Sequence, residues 1–236
     1  RSFSELEDLP LDRDAKILDY HPFGLVAIDK PVGVLTHPNR KNDKKARTLL
    51  RAEYDFEEER YAWMDDTGVE RSLHLVHRLD SPTSGVLLAT FSTELAVSLR
   101  KSFAERETRK TYYAIVREKG KARDGHWKDR LEEVREGGNL RVKAGRGHEA
   151  LAKVTFERRR VGRLGLSLVR LEPVTGRTHQ LRIHSRELGQ SILGCDLYAS
   201  DEAFFMAARL MLHATTLDFD HPVSGERISA ICPCPF

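Results

Sequence analysis

Apolar positions along this chain gather in short runs of strand length more often than they recur at helical spacing. Residues 24–29 (GLVAID) form one such run, closed by Lys30-Pro31 and Gly33, which force a turn. A strand that enters a loop is predicted there. Residues 86–91 (VLLATF) predict a second, buried strand, and Ser92 or Thr93 then offers an N-cap to a helix with Leu95, Leu99 and Phe103 on its apolar face. Residues 111–116 (TYYAIV) are rich in β-branched and aromatic side chains, while 150–156 and 165–171 alternate with period two. A further helix is predicted over 178–188, with Leu181, His184 and Leu188 on one face and Gly189 as its stop. The stretch 40–70 is polar, and acidic from Glu53 onward, with Tyr61 and Trp63 as its main apolar anchors. Helix and irregular loop are expected in it.

Strands in succession with helices at irregular intervals argue for an α+β fold: a mixed, largely antiparallel central sheet flanked by helices and loops, not a regular βαβ winding. No repeat, low-complexity tract or linker divides the 236 residues, so a single domain over 1–236 is expected. At this length roughly 70 to 75% of the unfolded surface can be buried.

Composition narrows the setting. Apolar residues make up 40% and charged residues 32%, and no run of about 18 apolar residues is present to cross a bilayer. The opening RSFSELEDLP is acidic and lacks the apolar core of a signal peptide, although a chain that starts at Arg1 leaves room for a lost upstream segment. A cytoplasmic location without membrane contact is expected. The three cysteines, Cys195, Cys232 and Cys234, make no disulfide framework and lack the paired spacing of a zinc site. His179 and His184 stand five apart, which on a helix turns them away from a shared metal, and His184 reads as a packed histidine.

Net charge is only +3, but its distribution is uneven. Residues 100–163 hold 20 basic and 10 acidic side chains, leaving 19 basic and 26 acidic elsewhere. One basic stretch on an otherwise acidic chain suits a surface that tracks a polyanion, and equally a solvated face with no partner.

Three clusters could carry chemistry, while the phosphate-binding glycine loops and the hydrolase nucleophile elbow are absent from the sequence. In residues 77–85 (HRLDSPTSG), Arg78 and Asp80 at i, i+2 would share one face of an extended segment, with Leu79 on the other. A carboxylate beside a guanidinium stays ionised and can attack an electrophilic sugar carbon. Pro82 and Gly85 would supply the turn that holds the pair. On these residues alone, an ordinary surface ion pair at a strand entrance is the better reading. In residues 176–184 (GRTHQLRIH), Gly176 would allow a sharp helix entry and Arg182 would lie one turn in, able to reach a carboxylate on another element. In residues 110–116 (KTYYAIV), Tyr112 and Tyr113 must face opposite sides, one expected in the core and the other open to a cleft.

Taken together and in this order, H-R-L-D-x-x-T-S-G, K-x-Y-x-A-x-V and G-R-T-H-Q-L-R-I-H resemble the RluA-type pseudouridine synthase family. The resemblance starts near Ile17, takes in Lys30-Pro31-x-Gly33, and runs to H-P-V-S-G-E and the final C-P-F, so it covers nearly the whole chain. It implies the pseudouridine synthase fold with a central catalytic cleft and an isomerase of uridine in RNA, with Asp80 as the catalytic aspartate. Tyr112 would be the tyrosine lying against the target base, and Arg182 the arginine paired with Asp80. Arg78 would enter the space left by a flipped nucleotide, and Arg106, Arg109, Lys110 and Lys119 of the basic stretch would hold RNA. Two departures stand out. In Ser191-Ile192-Leu193-Gly194-Cys195-Asp196 the usual proline and the aspartate after glycine are Ser191 and Cys195, and an aspartate follows one place later. No catalytic role is expected to rest on that loop. The N-terminal S4-type RNA-binding domain of many relatives is not expected either, since only about thirty residues precede Lys30.

The expected activity is therefore pseudouridine formation in ribosomal RNA, transfer RNA or both, by a monomer that needs neither cofactor nor metal. The alternative is a non-catalytic RNA-binding or ribosome-assembly factor on the same fold, against which the trio Asp80, Tyr112 and Arg182 argues. An N-glycosidase must deliver water, commonly with a second acid or base, and neither the Asp80 nor the Arg182 segment supplies an obvious second carboxylate.

Overall fold

The protein is described by a computed structural model covering residues 6, 8–41, 43, 45–118, 123–137, 139–161 and 164–236. In chain order it presents β1 (Lys16–His21), β2 (Leu25–Lys30), β3 (Glu53–Asp55), β4 (Arg60–Met64), β5 (Glu70–Leu75) and β6 (Ser84–Thr90), then helix α1 (Thr93–Ala104). There follow β7 (Arg109–Glu118), β8 (Gly125–Glu136), β9 (Asn139–Ala144), β10 (His148–Val161) and β11 (Leu166–Pro173). Helix α2 (Gln180–Glu187), β12 (Gln190–Ile192), the short helix α3 (Asp201–Phe205), β13 (Leu212–Asp220) and β14 (Arg227–Ile231) complete it. The chain divides into two compact units, one of Arg1–Thr108 with Thr216–Pro233, the other of Arg109–Thr215 with Cys234–Phe236.

In the first unit β3, β4, β5 and β6 pair in that order, β2 adds to β6, and β1 to β2, all antiparallel. The apolar runs read from the sequence fill its core: Leu25, Val26, Ala27 and Ile28 of β2 and Leu87 and Ala89 of β6 are fully buried. Each such aliphatic side chain larger than alanine contributes roughly 1.5–3 kcal/mol through burial. Helix α1 begins where expected, since the Ser92 hydroxyl accepts the Leu95 N–H at 3.2 Å, and it buries Leu95, Ala96 and Leu99. The stretch 40–70 is irregular up to residue 52 in its described residues, as expected, but departs from expectation beyond it. Among its described residues there is no helix; β3, β4 and the first residue of β5 occupy it, with Tyr61 wholly buried.

In the second unit β7, β11, β10, β8 and β9 pair in order, again antiparallel, and β12 adds to the other side of β7. Its core gathers Val116, Trp127, Leu131, Val154 and Leu171, with Leu181 and Ile183 of α2 packed on them. The α+β, largely antiparallel class expected from the sequence is what each unit contains. Helix α2 is shorter than predicted. It starts at Gln180 because His179 takes a left-handed conformation (φ 52°), and Leu188, expected on the apolar face, is exposed beyond its end. No helix among the described residues is long and apolar enough to cross a membrane.

Candidate active site

In the first unit, the Asp80 segment is extended between β5 and β6 and alternates as expected, with Leu79 buried, Arg78 exposed and Asp80 half-buried. Both neighbours of Asp80 are pinned. Thr36 Oγ1 donates to the Leu79 carbonyl at 2.8 Å and accepts the Leu79 N–H at 3.2 Å. The Ser81 carbonyl accepts the Gly33 N–H at 2.9 Å and the Lys30 ammonium at 3.1 Å. Lys30 is fully buried and also donates to the carbonyls of Val34 (2.7 Å) and Pro31 (3.0 Å), so its burial is compensated by fixed acceptors. That lysine staples the turn after β2 to the residue after Asp80. The Thr83 N–H donates to the Asp80 carbonyl at 3.0 Å, closing a turn over Ser81 and Pro82. Gly85, expected in this turn, lies instead inside β6, paired with Lys30.

Arg78 does not form the ion pair with Asp80 that the i, i+2 spacing suggested; among the described residues it forms none. Its Nη1 lies 3.3 Å from His37 Nε2. His37 Nδ1 is 2.8 Å from the Pro38 carbonyl, which can only accept, so Nδ1 carries the proton and Nε2 is the acceptor for Arg78. Burial first, and the Arg78 charge after it, push the His37 pKa down and keep the ring neutral. The ring stacks on Tyr54 with centroids 4.8 Å apart. At the start of the segment, His77 Nε2 accepts the Leu88 N–H at 3.1 Å and its ring stacks on Phe103 of α1.

In the second unit, Tyr112 sits on β7 opposite Leu171, on the face of Ala114 and Val116, and packs half-buried against the core. Tyr113 is also half-buried, so neither tyrosine is the core residue expected. Gly176 has no left-handed backbone; a side chain there would instead meet the Lys110 ammonium at 3.5 Å. The turn into α2 is organised by the buried Gln180 side chain, which accepts from Thr175 Oγ1 (2.7 Å) and the Arg177 N–H (3.1 Å) and donates to the Leu151 carbonyl (3.0 Å).

Arg182 is only 3% exposed. Within its own unit its Nη2 donates to Asp196 Oδ1 at 2.6 Å and its Nε to Cys195 Sγ at 3.4 Å, and its guanidinium carbon lies 5.4 Å from the centre of the Tyr198 ring. The loop on which no catalytic role is expected supplies a carboxylate to the arginine singled out from the sequence. The aspartate displaced by one place was the signal. His184 is the packed histidine expected: it is buried, edge-on to Trp127, with neither ring nitrogen hydrogen-bonded, and burial pushes its pKa down.

Among the residues expected to hold RNA, Arg106 is exposed in a left-handed position that closes α1. Arg109 pairs with Glu172 at 2.6 Å, and Lys153 and Arg170 approach the same carboxylate at 3.7 Å each. Burial raises the Glu172 pKa, but Arg109 and its basic neighbours outweigh that and hold it down. Lys119 lies outside the described residues. Part of the basic surplus is spoken for by the protein itself: Lys128 faces Glu149, Lys143 faces Glu136, and Arg100 donates to the carbonyls of Leu75 and Glu59.

The sequence pattern of the RNA pseudouridylate synthase family matches residues 24–187, well over half of the chain and inclusive of Asp80, Tyr112 and Arg182. The chain belongs to that family. It is therefore related to isomerases that act on RNA. The chain is 32% identical over 225 residues to the dual-specificity RNA pseudouridine synthase RluA of Vibrio cholerae, covering 92% of this chain and 82% of that protein. With the protein of the same name from Escherichia coli K12 the identity is 30% over 228 residues, covering 93% and 94%. Among solved structures, human RNA pseudouridylate synthase domain containing 1 shares the fold with a TM-score of 0.70 at 23% identity, over 94% of this chain and 84% of that one.

Proposed function

We propose that this chain converts chosen uridines of ribosomal and/or transfer RNA into pseudouridine, as a cytoplasmic monomer whose two units serve as a single catalytic domain. The C1′–N1 bond breaks and a C1′–C5 bond forms, while the C5 proton leaves and N1 gains one. Nothing is oxidised, reduced or hydrolysed, so the reaction balances without a cofactor or metal. Asp80 acts on the sugar, either as nucleophile or by initiating a glycal route. Arg182 serves the same reaction as the family-matched arginine, and Tyr112 offers the uracil a stacking face worth about 1–3 kcal/mol. Arg78 fills the stack after the uridine leaves, offsetting an unstacking cost of a few kcal/mol. Arg106, Arg109, Lys110 and Lys119 bind the phosphates.

The observation that carries this reading is a family-matched aspartate whose two chain neighbours are both pinned by hydrogen bonds, Leu79 by Thr36 and Ser81 by the buried Lys30. Catalysis by positioning demands such fixed geometry. Isomerisation of a 5-tritiated uridine releases tritium to water, so the full chain incubated with labelled ribosomal and transfer RNA transcripts should release it without added metal. No release from either class of RNA would contradict the proposal.

A further inference from the structure

We infer that Asp196 is a positioning residue for Arg182, fixing the guanidinium in the orientation that pseudouridine formation requires. The inference deepens the function proposed above and rests on it. A guanidinium that is 3% exposed needs charged or polar acceptors on its own scaffold, since planar donors left unsatisfied in a buried setting are costly. Asp196 supplies the charge at 2.6 Å on Nη2, while Cys195 Sγ sits 3.4 Å from Nε on the same loop. Two successive residues thus address two different nitrogens of one fork. The Asp196 carboxylate itself is 59% exposed, so water screens its side of the pair while the Arg182 side stays buried. What it does is set direction.

The loop that carries Asp196 is built to present it. Leu193 N–H donates to the Ile115 carbonyl (3.0 Å), Gly194 N–H to Ala203 (3.0 Å) and Met211 N–H to Leu193 (2.9 Å). Gly194 is left-handed (φ 68°), and a Cβ on it would stand 1.9 Å from the Arg209 carbonyl oxygen, so the loop passes where only glycine fits. Beyond Asp196, the Tyr198 hydroxyl accepts the Val142 N–H at 3.1 Å, leaving its own proton for His179 Nδ1 at 2.7 Å. The Tyr198 ring therefore cannot drift from the guanidinium. Chain on both sides of Asp196 is anchored to β7, β9 and the start of α2, and a carboxylate on so fixed a base holds Arg182 in one orientation.

The test is a series on the full chain: Asp196→Ala, Asp196→Asn, Asp196→Glu, Arg182→Lys, the double variant Asp196→Ala/Arg182→Lys, and Asp80→Asn as reference. Single-turnover tritium release should fall roughly 10- to 100-fold for Asp196→Ala, the range of a hydrogen bond to a charged group, with RNA affinity unchanged within about twofold. Asp196→Asn, which keeps the acceptor and the volume, should lose less, and Asp196→Glu should recover part of the rate. In the double variant, Asp196→Ala should cost nothing further once Arg182 is replaced, because the two act as a unit. A merely structural loop residue would lower the melting temperature and add its effect in both backgrounds. Additivity, or a full rate in Asp196→Ala, would overturn the inference. Should Asp196→Ala fail to fold, the same comparison made with Asp196→Asn decides. If Asp80→Asn is inactive while every Asp196 variant is fully active, this inference alone fails; if Asp80→Asn turns over normally, the functional reading fails with it.

Discussion

Asp80 is held by what surrounds it along the chain. Leu79 is locked by Thr36 and Ser81 by Lys30, and neither lock follows from local spacing, because the partners are 43 and 51 residues away. The sequence identifies the aspartate through its motif, yet it leads the i, i+2 reading astray: Arg78 turns to His37. Gly194 is a glycine whose backbone freedom the structure requires. There a left-handed conformation coincides with a backbone oxygen where a side chain would stand. Gly194→Ala should therefore lower stability by at least about 1–3 kcal/mol, seen as an earlier midpoint in urea unfolding. An unchanged midpoint would show that the loop relaxes without strain.

At the scale of elements, the parts legible in the sequence are those that bury apolar runs. The apolar runs predict β2, β6 and α1 to within a residue or two and mark β7, β10 and β11 as strands, each of which extends beyond the predicted stretch. Their apolar and β-branched residues leave few alternatives, and Ser92 marks the start of α1. β8 and β9 went unread because each offers the core very little: Trp127 and Leu131 from one, Val142 from the other, among charged residues that face water. The same holds for β3 and β4, where Tyr61 alone is buried and acidic composition suggested a loop. Helix α2, predicted from residue 178, begins at Gln180. The left-handed His179 that delays it reflects its tertiary tie to Tyr198, which no periodicity reports. The site was legible in the same uneven way. Its motif residues are named from the sequence, whereas Asp196 shows there only as an aspartate displaced by one place, and its tie to Arg182 emerges from the contact it makes.

At the scale of the molecule, four histidines, His37, His74, His184 and His221, have pKa values pushed below the ordinary 6.5, in each case chiefly by burial. The folded state thus favours their neutral form, and the unfolded chain binds more protons as the solution turns acidic. Their contribution to stability is fully present above about pH 6.5 and is lost as pH falls through the depressed folded values. Carboxylates such as Asp12, held down by Arg47, and Asp65, held down by Thr67, Val69 and Arg71, lose theirs only at much lower pH, below an ordinary 3.8. Calorimetry should therefore show a melting temperature that is level above neutrality and already falling between pH 6.5 and 5; a level response down to pH 5 would contradict this. Asparagine matches aspartate in size, so Asp80→Asn removes the carboxylate with little disturbance to the fold. In single-turnover assays on an RNA that the unaltered chain modifies, Asp80→Asn should form no detectable pseudouridine while binding that RNA as tightly as the unaltered chain or more so, having lost one negative charge. Pseudouridine formed at an undiminished rate would show that the carboxylate is not the catalytic group.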